Sequence, residues 1–198
     1  MNKQLIISVG REFGSGGHEI AEELAKRFSI SFYDRNLLDE IANEKKLDEH
    51  DLHQYDELPR NIITSRTVRG YSNSPEEIVA RLQFDFLRRK AEQGESFVAV
   101  GRCSDDILKD FDGLISFFIM ADLEAKIERV KEMRGISDLE AEAVIRRHDK
   151  KRKAYHNYYC QTKWGDARNY DLAINCNRLG MEGTTDLLEQ FIRMKRGQ

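Results

Sequence analysis

Little in this sequence would break or cross-link a compact chain. It has two prolines in 198 residues, which excludes collagen-like, mucin-like and proline-rich linker architectures. Its three cysteines, Cys103, Cys160 and Cys176, are odd in number and far apart. Neither a disulfide framework nor a paired-cysteine metal site is expected, and each reads as a free thiol. No apolar run approaches the roughly 18 residues a membrane-crossing helix needs, and the chain opens on a strand-like segment without a signal-peptide pattern, so a cytoplasmic location is expected. Charge of one sign is also lacking, since 32 Lys and Arg face 35 Asp and Glu for a net of −3. That balance excludes a surface coated for non-specific nucleic-acid binding, and any anion must be met by a local patch. What is present is 40% hydrophobic and 34% charged residues, enough to bury the core of one globular domain over 1–198.

Residues 4–9 form a nearly continuous apolar run ending at Gly10, the pattern of a strand buried on both faces of a parallel sheet. From Gly17 onward Ile20, Ala21, Leu24, Ala25 and Phe28 recur at helical spacing, and 30–33 reads as a second strand ending at Asp34. The stretch 35–94 reads as helical with an irregular middle, and Ser74 to Glu77 has the form of a capping box with Pro75 in the first turn. Residues 97–100 and 114–120 predict two more strands, and Asp122 opens a helix to about Arg134. Ser137 to Glu140 predicts a capping box for a long basic helix toward Cys160, followed by a strand at 172–175 and a helix over 186–194. Five strands alternating with helices make a parallel α/β sheet covered on both faces, whose ligands gather at the strands' carboxyl ends.

The residues at those ends can carry chemistry. Gly10 to His18, with glycines at 10, 14, 16 and 17, lies between a buried strand and a helix. Glycines there let consecutive N–H groups turn toward one anion, and the helix start adds its positive dipole end, so phosphate is the natural guest. The plain alternative is a connecting turn. Asp34 and Arg35 follow the second strand, where a carboxylate can position a hydroxyl or a metal-bound water, or merely cap the next helix. Gly101 and Arg102 follow the third, and the arginine can hold an anion as a fork or form a structural ion pair. Arg146, Arg147, Lys150, Lys151, Arg152 and Lys153 crowd one broad side of the long helix, with Asp149 among them and Tyr155, Tyr158 and Tyr159 beyond. That density needs an anion, with RNA binding and a solvated face as the rival readings.

The glycine loop resembles the P-loop of the nucleoside monophosphate kinases, and residues 14–34 align without a gap with the opening of cytidylate kinase. Gly101-Arg102 matches the end of that family's Asp-Gly-Arg, with Val100 replacing the aspartate. Trp164-Gly165-Asp166 and the run 169–175 resemble the cytidylate kinase-like subgroup. The resemblance implies a P-loop kinase-type three-layer α/β/α fold with a five-stranded parallel sheet, its core at 1–42 and 94–198. It further implies a helical acceptor-binding segment at about 43–93 and a basic lid at about 135–165. The implied reaction moves the γ-phosphoryl of Mg-ATP to a nucleoside monophosphate, CMP or dCMP first, with ATP and Mg²⁺ required and no metal held directly by the chain. The rivals are a nucleotide-binding sensor with little turnover and a kinase for another small metabolite.

By this resemblance Phe13, Gly14, Ser15, Gly16, Gly17, His18, Glu19 and Arg147 border the donor. Arg35, Arg66, Arg69 and Gly101 border the acceptor, where Arg60 and Arg81 are further candidates. Arg11, Asp34, Arg102, Lys150, Lys151 and Arg152 are the expected catalytic residues, Arg11 and the lid cations neutralising the transferring phosphoryl group, Arg102 holding the acceptor and Asp34 positioning a hydroxyl or a metal-bound water. Asn175, Asn177 and Arg178 are candidates for the donor's adenine. Two positions of the loop depart from the family: Gly17 stands where the P-loop lysine belongs, and His18 where the Ser/Thr belongs. Arg11, leaving the same strand end, is expected to replace the lysine, with His18 second, against plain readings of an ion pair with Glu12 and a solvated helix start. Restoring the lysine at Gly17 is expected to raise turnover. Small-molecule nucleotides are the expected partners, a nucleic acid or membrane is not, and a homo-oligomer is left open.

Overall fold

The structure is a computed structural model that describes residues 4–46, 49–58, 67–68, 71–72 and 74–197. The apolar runs become strands β1 (Ile6–Arg11) and β2 (Ser31–Tyr33), with α1 (Gly17–Phe28) between them and α2 (Asn36–Lys45) and α3 (Glu49–His53) after them. A short hairpin of β3 (Thr67–Val68) and β4 (Tyr71–Ser72), with no signal in the sequence pattern, precedes α4 (Pro75–Glu92). Then come β5 (Phe97–Val100), α5 (Ser104–Ile107), β6 (Leu114–Met120), α6 (Leu123–Arg134), α7 (Asp138–Tyr159), β7 (Leu172–Asn175) and α8 (Gly180–Lys195).

Five strands form one parallel sheet in the order β2-β5-β1-β6-β7. The strand period of two sorts their side chains between two cores. Leu5, Ile7, Val9, Val98 and Val100 pack with Ile20 and Leu24 of α1 and Leu188 and Ile192 of α8. Ile6, Phe97 and Ala99 face the other way, onto Leu37, Leu38 and Ile41 of α2 and Phe86 and Leu87 of α4. Each fully buried large apolar side chain contributes about 1.5–3 kcal/mol, so the central strand, covered on both faces, is a principal source of the fold's stability. Register places Val9 beside both Val100 and Phe117. The carboxyl ends of β1, β5 and β6 therefore open on one side of the sheet, with Arg11 the last residue of β1 and Arg102 and Ala121 just beyond β5 and β6.

The long basic helix starts as expected, with Ser137 and Glu140 exchanging capping-box hydrogen bonds. At α4 the box does not close: Ser74 makes no side-chain capping bond, and its hydroxyl donates to the Glu76 carboxylate. The last helix begins earlier than the expected residue 186, because the Thr184 and Thr185 hydroxyls donate back to the carbonyls of Gly180 and Met181 and are accommodated inside the helix. Among the described residues no helix is long and apolar enough to cross a membrane.

Candidate active site

The loop between β1 and α1 carries Gly14 and Gly16 at φ +76° and +83°. Its shape is fixed from within, the Ser15 hydroxyl donating to the Glu12 carbonyl at 2.9 Å and the Gly17 N–H to Ser15 Oγ at 3.3 Å. It is also fixed from outside. Glu12 accepts from Lys126 Nζ at 2.9 Å and from the Ala121 N–H at 3.3 Å, and the Phe13 N–H donates to Asp149 of α7 at 2.7 Å. The Phe13 ring stacks on His148 with centroids 4.2 Å apart. The basic helix is thus docked onto the glycine loop. A cleft of about 360 Å³ lies over the loop, walled by Asp34, Arg35, Arg129, Arg134 and Arg152.

Arg11 and Gly17 fit as a pair. In the Gly-x-x-x-x-Gly-Lys-Ser/Thr phosphate loop, Arg11 stands at the first glycine and Gly17 at the lysine. A β-carbon on Gly17 would sit 2.7 Å from Arg11 Cβ and 3.1 Å from Ile119 Cβ, both anchored close to the main chain. The arginine's own stem therefore fills the space a lysine would need. On this geometry a lysine at Gly17 is expected to crowd the Arg11 stem rather than to raise turnover while Arg11 is present. Beyond its stem, Arg11 runs across Gly101, where an added β-carbon would lie 2.1 Å from Arg11 Nη1. Gly101 is at φ +72°, so Gly101→Ala is expected to strain the backbone by about 1 kcal/mol and push the guanidinium aside. Thermal unfolding and turnover, both lowered, check this.

The guanidinium ends in an ion network that was not legible in the sequence. Arg11 lies 3.5 Å from Asp34 and 3.4 Å from Glu57, not against Glu12. Arg102 contacts Asp56 at 2.5 Å and Glu57 at 3.3 Å. Arg152 of α7 approaches Glu57 at 3.8 Å and donates to the Arg11 carbonyl at 3.3 Å. Arg102 and Cys103 both have φ +56°, an unusual pair of left-handed residues at the end of β5 that aims Arg102 inward, where it is 2% exposed. Burial pushes the Glu57 carboxyl up, but Arg11, Arg102, Arg152 and Lys151 outweigh it and hold Glu57 far below the usual range. Burial and the nearby Arg11 lower Arg152 to about 10, and burial with the surrounding cations lowers His148 to about 4.

Around this network is a second cavity of about 220 Å³, walled by Arg35, His53, Asp56, Glu57, Arg102, His148 and Lys151. Arg11, Phe13, Arg35 and Arg152 line both spaces. Of the residues read from the sequence, Phe13, Gly14, Gly16, Gly17, His18, Glu19, Asp34 and Arg35 border the first cavity, with Ser15 buried beneath it. Lys151 and Arg102 border the second. Lys150 and Arg147 are exposed on α7 and line neither cavity. Arg81 pairs with Glu77 on α4. Asn175 donates to Asp122 at 2.6 Å and accepts from the Asn177 N–H, while Arg178 lies 3.5 Å from Asp122; the three line neither cavity, although Cys176 beside them donates its thiol to the Ser15 carbonyl at 2.8 Å. Arg60, Arg66 and Arg69 lie outside the described residues. Sequence reasoning missed Asp56, Glu57, Arg129 and Arg134.

Asp34 does not cap α2; Arg35 holds that position. Its carboxylate meets His18 Nδ1 at 2.9 Å, and Asp34 Oδ1 is buried without a hydrogen-bond partner. Burial raises the Asp34 carboxyl, but His18, Arg11 and Arg102 prevail and keep it below its ordinary value. The hydrogen bond to Asp34 in turn raises His18 above 6.5. The pair is therefore complete below that pH and is lost as pH rises through the shifted His18 value. In a proton NMR titration His18 should titrate above 6.5 in the parent protein and move back down in Asp34→Asn; an unchanged midpoint would contradict the pairing. Among the described residues no cluster of three His, Cys, Asp or Glu could hold a metal directly. A magnesium ion brought by a nucleotide would find in Asp34 Oδ1, which has no hydrogen-bond partner, an acceptor for one of its bound waters.

A parallel sheet with a phosphate-type loop on its central strand and a basic helix docked over it defines a kinase-type phosphotransferase. Residues 6–178 match the model of the cytidylate kinase-like family, and the chain belongs to that family. A crystal structure of an uncharacterized protein from Eubacterium ventriosum is similar, with 38% identity and a TM-score of 0.76, covering 96% of this chain and 98% of that one. Shikimate kinase from Bacteroides thetaiotaomicron shares the fold at 13% identity and a TM-score of 0.58, over 96% of this chain and 98% of that one. So does shikimate kinase from Acinetobacter baumannii in complex with shikimate, at 15% identity and a TM-score of 0.52, over 96% and 93%. No curated protein matches the chain.

Proposed function

We propose that this protein transfers the γ-phosphoryl group of Mg-ATP to a nucleoside monophosphate, CMP or dCMP. The observation that carries this reading is the meeting of two cavities at Arg11 and Arg152. One has the glycine loop as its floor. The other is lined by Arg11, Arg35, Arg102, Lys151 and Arg152 against only Asp56 and Glu57, an excess of positive charge that suits an anionic acceptor.

The loop N–H groups and the start of α1 would hold the donor's phosphates, with His18 as a partial cation beside them. Arg11 would neutralise the oxygens of the group in flight, taking the place of the missing lysine, and Arg152 would approach from the lid side. Arg102, braced by Asp56, would fork onto the acceptor. Magnesium supplies charge neutralisation of the donor's terminal phosphates when bound. No general base is needed, because an acceptor phosphate is already ionised at neutral pH. Asp34 suits this: engaged by His18 and Arg11, it is a positioning carboxylate and not a free base for a hydroxyl acceptor.

The test is phosphorus NMR of the purified protein with Mg-ATP and, separately, CMP, dCMP, UMP, AMP, GMP and shikimate. The expected result is ADP and a new nucleoside diphosphate in equal amounts with CMP or dCMP. Product from shikimate alone would move the reading to a hydroxyl acceptor. Bound but unconsumed ATP across the panel would contradict turnover and favour a nucleotide-sensing module. Arg102→Ala is expected to raise the KM for the acceptor about tenfold or more while moving that for ATP far less; equal changes in both would contradict its assignment.

A further inference from the structure

The second cavity already holds an anion supplied by the chain itself. Glu57, a few residues past α3, has φ +50°, a conformation that a residue with a β-carbon rarely adopts and that marks local strain. That backbone delivers its carboxylate between three guanidinium groups. Its contacts are all long: 3.4 Å to Arg11, 3.3 Å to Arg102 and 3.8 Å to Arg152, against 2.5 Å for the neighbouring Arg102–Asp56 pair.

The three arginines also have donors to spare. The Nε atoms of Arg11, Arg102 and Arg152 are each buried without a hydrogen-bond acceptor. A carboxylate brings two oxygens, whereas a phosphate group brings three. The seat thus converges more N–H groups than its present occupant satisfies. It also cannot stand vacant, because Arg11 and Arg152 would then face one another with less compensation.

We propose that the Glu57 carboxylate is a stand-in for the acceptor's anionic group, so that acceptor binding exchanges one anion for another and the strained segment carrying Glu57 withdraws. The inference rests on the reading of the second cavity as the acceptor site and adds a self-occlusion to it. Asp56 has a different part: its short contact keeps Arg102 oriented through the exchange. Occupancy by Glu57 satisfies the arginines while the acceptor is absent, and holds α7 against the body of the protein through Arg152.

The experiment is calorimetric titration of inorganic phosphate, and separately of CMP, into protein saturated with magnesium and a non-hydrolysable ATP analogue, so that the glycine loop is filled. Glu57→Gln is expected to bind phosphate about tenfold tighter or more than the parent, since one charge-assisted contact set no longer competes. Asp56→Asn is expected to bind no tighter than the parent, because it loosens Arg102. Phosphate affinity in Glu57→Gln equal to or weaker than the parent overturns the proposal. So does an equal gain in Asp56→Asn, which would reveal only general charge removal.

A second measurement needs no variant. In the parent protein, amide hydrogen exchange over residues 54–58 should speed up when phosphate or CMP binds, while the glycine loop does not. Slower exchange there would show Glu57 staying in place and would overturn the proposal. Failure of the nucleotide reading is separately visible, as CMP binding to no form while phosphate still tightens in Glu57→Gln.

Discussion

Replacing Arg11 by alanine is expected to lower kcat by about 10²–10³, the usual effect of removing one preorganised donor from a transition state, with a much smaller change in the KM for ATP. The split follows from position. On the proposed reading the loop N–H groups and the start of α1 would make the ground-state contacts to the donor, whereas Arg11 reaches past the loop to the junction of the two cavities. Its guanidinium there lies 3.5 Å from Asp34 and 3.4 Å from Glu57, so it is held as an aimed fork and not a mobile surface cation. Arg11→Lys keeps the charge but not the planar fork, and should fall between the parent and Arg11→Ala. Steady-state kinetics checks this; an unchanged kcat in Arg11→Ala would remove Arg11 from the chemistry.

The second large effect is expected from Gly17→Lys, which restores a lysine to the loop and should nevertheless damage it. A β-carbon at 17 falls 2.7 Å from Arg11 Cβ and 3.1 Å from Ile119 Cβ. Ile119 is fully buried in the central sheet and cannot give way cheaply. Overpacking of this kind costs about 1–3 kcal/mol, which for a chain of this size lowers Tm by roughly 2–4 °C per kcal/mol. Turnover should fall with it, as the displaced Arg11 stem swings the guanidinium off the junction. The double variant Arg11→Gly, Gly17→Lys removes the colliding stem and rebuilds the glycine and lysine of the familiar loop pattern, leaving His18 at its Ser/Thr position. It is expected to be more stable and more active than Gly17→Lys alone. Additive damage in the double variant would show that the two positions are not exchanging one role.

What could be read in advance was what local sequence controls. The apolar run of β1, the helical spacing of α1 and the Ser137 capping box each draw on neighbours within a few residues, and each appears where expected. The carboxyl-end placement of Arg11, Asp34 and Arg102 followed from the parallel sheet. The partners of those residues did not. Asp56 and Glu57 lie in a stretch without periodicity, and they meet Arg102 and Arg11 across 46 positions of chain. Nothing local reports such a contact. The basic helix is an intermediate case. Counting charges treated Lys150, Lys151 and Arg152 alike, but on a helix only a stripe of residues three to four apart can face one neighbour. Asp149, Arg152 and His156 form that stripe, meeting Phe13, Arg11 and Asp105 respectively, while Lys150 and Arg147 turn to solvent. The period was present in the sequence; what was missing was an inward-facing anchor such as Asp149 to set its phase.

The claim at the centre of this account is that Arg11 does the work of the absent lysine. Its most direct test is a crystal structure with ADP, magnesium, CMP and aluminium fluoride as the mimic of the phosphoryl group in flight. The expected result has an Arg11 Nη at about 2.7–2.9 Å from the fluoride ligands, with its contact to Glu57 broken. A mimic bound in the junction while Arg11 remains on Asp34 and Glu57, with His18 or Arg134 contacting the fluorides instead, would contradict it.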